Sequence, residues 1–287
     1  MDQICAQFGI TRQAHYQKQQ RENQREVENE IVLEMVRQIR RKHPCLGVRK
    51  LLFKIQPMLA VEGLPIGRDR LFGLLREHDM LVKRPRAYRR TTTPGFWRTP
   101  NLLRGMTVAR PNQVWVGDIT YLEMEVGRFA YLFLLMDLFA RFILGWHVGA
   151  SLSAEGAVLS LQMALKKSSA WDEAPIHHSD HGIQYTSQGY MQLLINQGIQ
   201  PSMGAVGNCY DNIFAERVIG TLKNEYYLNS RFVNQAQVEQ AVDEAIWSYN
   251  NDRPHLALNF AIPIDVYYGG VHHIQPLLIP MEIDETH

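Results

Sequence analysis

Val114-Trp-Val-Gly-Asp-Ile-Thr-Tyr121 is a run of β-branched and aromatic residues with one carboxylate, Asp118, in its middle. Such residues suit a pleated, largely buried strand. Two further carboxylates stand out in the same way. Asp180 ends Pro175-Ile-His-His-Ser-Asp-His-Gly182, where a short apolar run meets a turn. Glu216 lies inside Tyr210-Asp-Asn-Ile-Phe-Ala-Glu-Arg-Val-Ile-Gly-Thr-Leu-Lys-Asn-Glu225, a helix-like run. Each local sequence makes sense if its carboxylate is exposed at the end of an element. Carboxylates gathered from separate elements suit a hard cation such as Mg²⁺, which takes oxygen ligands and keeps positions for substrate phosphate. Two such ions can activate a nucleophile and stabilise a leaving oxygen.

Around these three residues the pattern predicts a mixed α/β domain. Strands are expected at Val114–Met124, Phe129–Met136 and Phe142–Val148, with Gly127 in a hairpin turn. Ala154–Lys167 reads as a helix with Val158, Leu161 and Leu165 inward. Pro175–His178 and Ile199–Met203 read as strands, and Ser187–Gln197, Cys209–Tyr227 and Gln235–Tyr249 as helices. Asp118 then lies on the first strand, Asp180 just after the fourth, and Glu216 on a helix able to pass beside both.

The N-terminal part has another texture. Residues 1–20 predict two short helices around a turn, with Gly9 breaking the first and Thr11 capping the second. Residues 22–43 predict a charged helix with a stripe of Val27, Ile31, Met35 and Ile39. Residues 46–83 predict a helix-turn-helix: a helix from Val48 to Leu59, a break at Gly63-Leu-Pro65, and a second helix from Gly67 to His78. That second helix offers Arg68, Arg70 and Arg76 to the major groove of DNA; a plain three-helix bundle is the competing reading. Lys83, Arg84 and Arg86 open a basic stretch with Tyr88, Phe96 and Trp97, suited to track a phosphate backbone or to serve as a tether. The domains expected are a helical DNA-binding region at 1–85, a basic linker at 86–110, a catalytic core at 111–268 and a tail at 269–287.

Charge supports this division. The 287 residues carry a net charge of +1. Residues 1–110 hold 22 Lys and Arg against 10 Asp and Glu, and the rest hold 8 against 19. A basic half joined to an acidic half suggests nucleic-acid binding attached to metal binding, and a solvated basic face is the bland alternative. No apolar stretch approaches the roughly 18–20 residues of a membrane span. The N-terminus lacks a signal-peptide pattern, and Cys5, Cys45 and Cys209 form no close pair, so a cytoplasmic, reduced setting is expected. His177 and His178 with Cys209 lack the spacing of a zinc site.

Four ordered motifs carry a family likeness: Trp115-Val-Gly-Asp-Ile-Thr-Tyr121; His178-Ser-Asp-His-Gly-Ile-Gln-Tyr-Thr-Ser187; Gly207-Asn-Cys-Tyr-Asp-Asn212 with Glu216 and Leu222-Lys-Asn-Glu225; and Tyr249-Asn-Asn-Asp-Arg-Pro-His255. Together they resemble bacterial insertion-sequence transposases of the OrfB type, which are DDE transposases sharing the ribonuclease H-like core of retroviral integrases. The resemblance runs from about residue 30 to residue 268. It implies an α/β, ribonuclease H-like mixed-sheet core preceded by an all-α helix-turn-helix region. It implies strand cleavage at the ends of a mobile element, then joining of the freed 3′-hydroxyl to another phosphodiester. Asp118, Asp180 and Glu216 would be the catalytic metal ligands, for two Mg²⁺ ions with Mn²⁺ able to substitute. DNA, a homo-oligomer on DNA and an upstream reading-frame product are the partners it implies, in a bacterial, nucleoid-associated setting. Met203-Gly-Ala-Val206 and His181 depart from the family pattern without removing a ligand.

Lys223, seven residues after Glu216, shares its helix face and is a candidate phosphate contact. Asn212, four residues before Glu216, is expected to brace the helix start, and His178 to tune the site. Gly204 and Gly207 bracket a candidate mobile loop. The 249–255 run has no evident physical task from sequence, although Arg253 suits an acidic neighbour or DNA.

Overall fold

The computed structural model describes residues 11–82, 99–168, 171, 173–204, 212–269 and 273–281. The chain divides into two compact units, Met1–Lys83 and Arg84–His287. Lys83, Arg84, Arg86, Tyr88, Phe96, Trp97, Gly207 and Cys209 lie outside the described residues, as do residues 1–10.

Among its described residues the first unit has three helices around one core: α1 (Arg12–Lys42), α2 (Val48–Glu62) and α3 (Arg68–Glu77). Thr11 caps α1 as expected, its Oγ1 accepting from the Ala14 N–H at 3.1 Å. The helix then runs unbroken through residues 20–22, where the sequence suggested two elements. Its buried face is Val32, Leu33, Met35 and Val36, with Ile39 partly covered. Val27 and Ile31, assigned to the stripe by spacing, are 59% and 37% exposed. The stripe turns inward only in the C-terminal part of α1, which packs on Leu51, Ile55, Leu71 and Leu75. Gly63, at φ 63°, ends α2 in the left-handed conformation that glycine adopts without a Cβ penalty. The break and second helix are where the sequence placed them.

The second unit is built on a five-stranded sheet. Strands β2 (Val114–Glu123), β3 (Phe129–Asp137) and β4 (Ile143–Gly149) are antiparallel neighbours. Strands β5 (Ile176–Ser179) and β6 (Gln200–Met203) extend the sheet parallel to β2, giving the order β4-β3-β2-β5-β6. This mixed arrangement is the ribonuclease H-like one. β2 is buried along almost its whole length because helices cover both faces. One face packs Val114, Val116 and Leu122 against α6 (Ile213–Glu225) and α7 (Gln235–Asn251). The other packs Trp115 and Ile119 with α4 (Ala154–Lys167), α5 (Gln188–Asn196) and α8 (Pro263–Tyr267).

Two details differ from expectation. The inward face of α4 is Gly156, Ala157, Ser160, Leu161 and Ala164, while Val158 and Leu165 are only half-buried. Small residues fit there because α4 lies directly on Gly145 of β4, where an added Cβ would stand 2.0 Å from the Ser160 carbonyl oxygen. Residues assigned to linker and tail also enter the core. Strand β1 (Thr107–Val108) pairs antiparallel with β7 (Leu277–Leu278), and Leu103, Val108 and Ile279 are buried with the first face. At the start of β4 a side chain takes the place of a neighbouring strand: Asn250 accepts from the Ile143 N–H and donates to the Ile143 carbonyl, both at 2.9 Å. The edge groups of that residue are thereby withdrawn from pairing with a foreign strand.

Candidate active site

Strand register brings the first two carboxylates together. Val114 pairs with Ile176 and Val116 with His178 in the parallel β2–β5 ladder. Two residues beyond this last pair the chain reaches Asp118 on β2 and Asp180 just after β5, close enough that Asp180 acts on Asp118 as a like charge. Glu216 reaches the Val116 face of β2 from the first turn of α6, whose Ala215, Val218 and Leu222 pack on it. A carboxylate there also suits the positive end of the helix dipole.

Asp118 is only 8% exposed, and its Oδ1 accepts from the Ile119 N–H at 2.8 Å. Burial pushes its carboxyl well above the usual range, and Asp180 and Glu216 push it in the same direction. The Ile119 hydrogen bond and Lys223 act against that shift. Asp180 is half-buried, and its Oδ1 accepts from the Gly182 N–H at 3.0 Å, closing the turn after β5. Lys223 is half-buried, with Nζ 4.7 Å from the centre of the Tyr121 ring. Burial lowers its pKa while Asp118 raises it. The two effects identify a cation held next to an acid in a partly dry site.

Asn212 stands at the start of α6 and makes no side-chain cap bond. Its Nδ2 instead donates to the Gly117 carbonyl at 3.2 Å, tying the helix start to the residue before Asp118. His178 is fully buried on the face of Val116, with Nδ1 2.8 Å from Ser202 Oγ, which also accepts from the Leu102 N–H. His177 faces the opposite side of the sheet, 2.9 Å from the Tyr190 hydroxyl. Desolvation lowers its pKa to about 3, so the ring is neutral. Adjacent strand residues point to opposite faces, so His177 and His178 cannot close on one ion. Among the described residues, no three His, Cys, Asp or Glu side chains converge into a ready-made metal cage. These groups crowd Gly117: a Cβ there would lie 3.1 Å from His177 Nε2 and 3.3 Å from the Tyr185 hydroxyl, so those side chains would have to give way.

The arginines of α3 divide by role. Arg68 is exposed and pairs with its neighbour Asp69 at 2.8 Å. The Arg76 guanidinium lies 5.0 Å from the Phe72 ring centre on the surface. Arg70 is half-buried and bonds Glu28 and Asn29 at 3.3 and 3.2 Å, so it fastens α3 to α1. It is therefore less available to DNA than its spacing suggested.

The 249–255 run, unassigned from sequence, holds helices in place. Arg253 is 4% exposed and grips Glu225 at the end of α6 through two bonds of 2.7 and 2.9 Å. Asn250 fastens α7 to β4. Opposite charges in the Leu222–Glu225 and Tyr249–His255 motifs were the available signal, but their pairing spans 28 residues.

Comparison with known proteins fits this geometry. Residues 108–209 match the integrase core domain family, and residues 197–263 match a second integrase core domain model. The uncharacterized 31 kDa protein of insertion element IS600 from Shigella sonnei is 34% identical over 266 residues, 91% of this chain and 96% of its own length. The putative transposase of IS150 from Escherichia coli K12 is 35% identical over 199 residues, 69% of each chain. The chain belongs to the insertion-sequence transposases. It is a DNA transposase of the DDE, OrfB type with an integrase core. The transposase of IS629 from Shigella sonnei is also similar, 29% identical over 93% of this chain and 92% of its own. Among solved structures, the catalytic core of HTLV-2 integrase aligns with a TM-score of 0.45 at 17% identity, covering 56% of this transposase and 99% of that chain.

Proposed function

We propose that Asp118, Asp180 and Glu216 hold the divalent ions of the transposase, two Mg²⁺ in the DNA-bound complex, with Mn²⁺ able to substitute. The observation that carries this reading is the coupling of three carboxylates drawn from β2, the end of β5 and α6. The buried Asp118 carboxyl feels both of the others as like charges. An all-oxygen donor set with excess negative charge fits a hard cation. Bound there, the ions supply charge stabilisation at a phosphoryl centre and a lowered pKa for the attacking oxygen.

The remaining roles belong to the chain itself. Lys223 stands beside Asp118, where it can hold a phosphate oxygen of the DNA end. Asn212 and His178 brace the elements that carry the acids. The first unit recognises element ends through α3, with Arg68 and Arg76 facing out, and Lys83, Arg84 and Arg86 continue the basic track. In this reading residues 1–85 bind DNA, 86–110 link them to the core while lending it Leu103 and Val108, and 111–268 cleave at element ends and join the freed 3′-hydroxyl to target. The transposase works as a homo-oligomer on DNA in the bacterial cytoplasm, with an upstream reading-frame product as a further partner. Among the described residues no helix is long and apolar enough to cross a membrane.

The test is Mg²⁺-dependent cleavage and joining on DNA carrying the element's ends, wild type beside Glu216→Gln. Joined product from wild type alone, with equal end binding by both proteins, supports the assignment. Joined product from both removes Glu216 from the site. Cut but unjoined product from wild type identifies a nuclease instead.

A further inference from the structure

The apolar face of α6 cannot by itself fix where Glu216 points. Ala215, Val218, Ile219 and Leu222 are buried against the sheet, and burial of this kind is non-directional. Directional contacts occur at the two ends of the helix. At the start, Asn212 bonds the Gly117 carbonyl. At the end, Glu225 accepts two bonds from Arg253 in a fork geometry that only a guanidinium supplies. Arg253 is in turn well anchored. Its guanidinium lies 5.3 Å from the Tyr249 ring centre, and Asn250 joins the same helix to Ile143 of β4.

The pair is a poor device for stability alone. Arg253 is almost fully buried, and its Nη1 has no hydrogen-bond partner among the described residues. Buried ion pairs gain little over well-packed apolar residues, and an unpaired donor adds a cost. What the pair provides is orientation. A 20° rotation of α6 would carry a carboxylate about 6 Å from the axis through roughly 2 Å. A misplacement of about 1 Å can cost a catalytic site on the order of 10²-fold.

We propose that Arg253 and Glu225 are positioning residues that fix the axial rotation of α6 and so place the Glu216 carboxylate against Asp118. This rests on the metal-site reading above. The clamp connects β4, α7 and α6 in one chain of directional bonds, and it gives the Tyr249–His255 motif a task in catalysis exerted through α6.

The experiment uses the full chain with Arg253→Lys, Glu225→Gln, the exchange Glu225→Arg with Arg253→Glu, and Glu216→Gln as reference. Mn²⁺ affinity is read from free Mn²⁺ by electron paramagnetic resonance, beside end binding, cleavage rate and circular dichroism. Arg253→Lys keeps the charge and loses the fork. It is expected to bind DNA ends as wild type does, yet to lose about 10-fold in Mn²⁺ affinity and in cleavage rate. The exchanged pair should recover part of both losses. If Arg253→Lys does not fold, Glu225→Gln decides in its place by the same readouts. Wild-type Mn²⁺ affinity and cleavage in the folded clamp variants, with both lost in Glu216→Gln, would overturn the clamp and leave the site standing. Wild-type Mn²⁺ affinity in Glu216→Gln would overturn the site and the clamp with it.

Discussion

Gly145→Ala tests the tightest glycine site among the described residues of the catalytic unit. The new Cβ would stand 2.0 Å from the Ser160 carbonyl oxygen, 2.9 Å from the Ala164 nitrogen and 3.1 Å from the Ala164 Cβ. Two of those three atoms are backbone, so no rotamer change relieves the clash. Helix α4 must retreat from β4 by about 1 Å, and a gap of that size forfeits about a quarter to a half of each dispersion contact along the face. Ala157, Leu161 and Ala164 all lie on that face, fully buried. Overpacking of this kind costs about 1–3 kcal/mol, and the backbone obstacle argues for the upper end. The backbone at Gly145 is not in the left-handed region, so alanine also gains about 0.4–1 kcal/mol by restricting the unfolded chain. The net loss is then about 2 kcal/mol, a fall of roughly 4–8 °C in Tm for a unit of this size. Thermal melts followed by circular dichroism measure it. Gly73→Ala is the control: it sits inside α3 with open space around it, so the same substitution should be neutral or stabilising there. Gly156→Ala gives a second contrast, because its obstacle is the Phe133 ring, and Phe133→Leu should partly rescue it. A Gly145→Ala protein that melts at or above wild type would refute the argument that backbone proximity dictates glycine here.

Other expectations follow from the buried polar groups and from α3. Burial raises the Asp137 carboxyl to about 7, against the opposing N–H bonds of Ala140 and Asn112, both 2.7 Å. A raised acid contributes stability that is complete below the unfolded value near 4 and is lost as pH climbs through 7. At about 1.4 kcal/mol per unit, wild type should lose up to about 4 kcal/mol relative to Asp137→Asn between pH 4 and 8. Urea unfolding across that range measures the difference, and a pH-independent difference would contradict it. The His177 ring, with its pKa lowered to about 3, should show no NMR titration between pH 5 and 8; a midpoint near 6.5 would mean the ring is solvated. Arg68→Ala should weaken end binding and reduce the salt slope by about 1, whereas Arg70→Ala should chiefly loosen α3 from α1 and lower the melting temperature. An unchanged salt slope for Arg68→Ala would remove that residue from the DNA interface.

Much of the catalytic unit was legible because its elements are locally periodic. The run from Val114, the turn at Gly127 and the helix at Ala154–Lys167 all lie where residue pattern placed them. What pattern could not supply was pairing at a distance. Strands β1 and β7 have two residues each and lie more than 160 positions apart, so neither has a period to read. Arg253 and Glu225 are ordinary charges until the fold buries them together. In α1 the repeat at Val27, Ile31, Met35 and Ile39 was real as a spacing. It could not say that only the second half of the helix has neighbours.

The site itself shows where the boundary falls. Parity is readable: Val114, Val116 and Asp118 share one face of β2, and Ile176, His178 and Asp180 share one side of β5 and its extension. Register is not readable, because nothing local says which residue of β5 meets Val116. The ladder sets His178 there, and Asp180, two residues further on, acts on Asp118 as a like charge. A slip of one residue would turn Asp180 and His178 to the side of Tyr190. The two histidines hold β5 to elements other than β2: His177 finds the Tyr190 hydroxyl of α5 on one face, and His178 finds Ser202 of β6 on the other. A β5 turned over relative to those elements would leave both buried rings without these partners, which is costly. The adjacent histidines therefore fix which face of β5 each side chain takes, and the ladder with β2 then carries Asp180 to the side of Asp118.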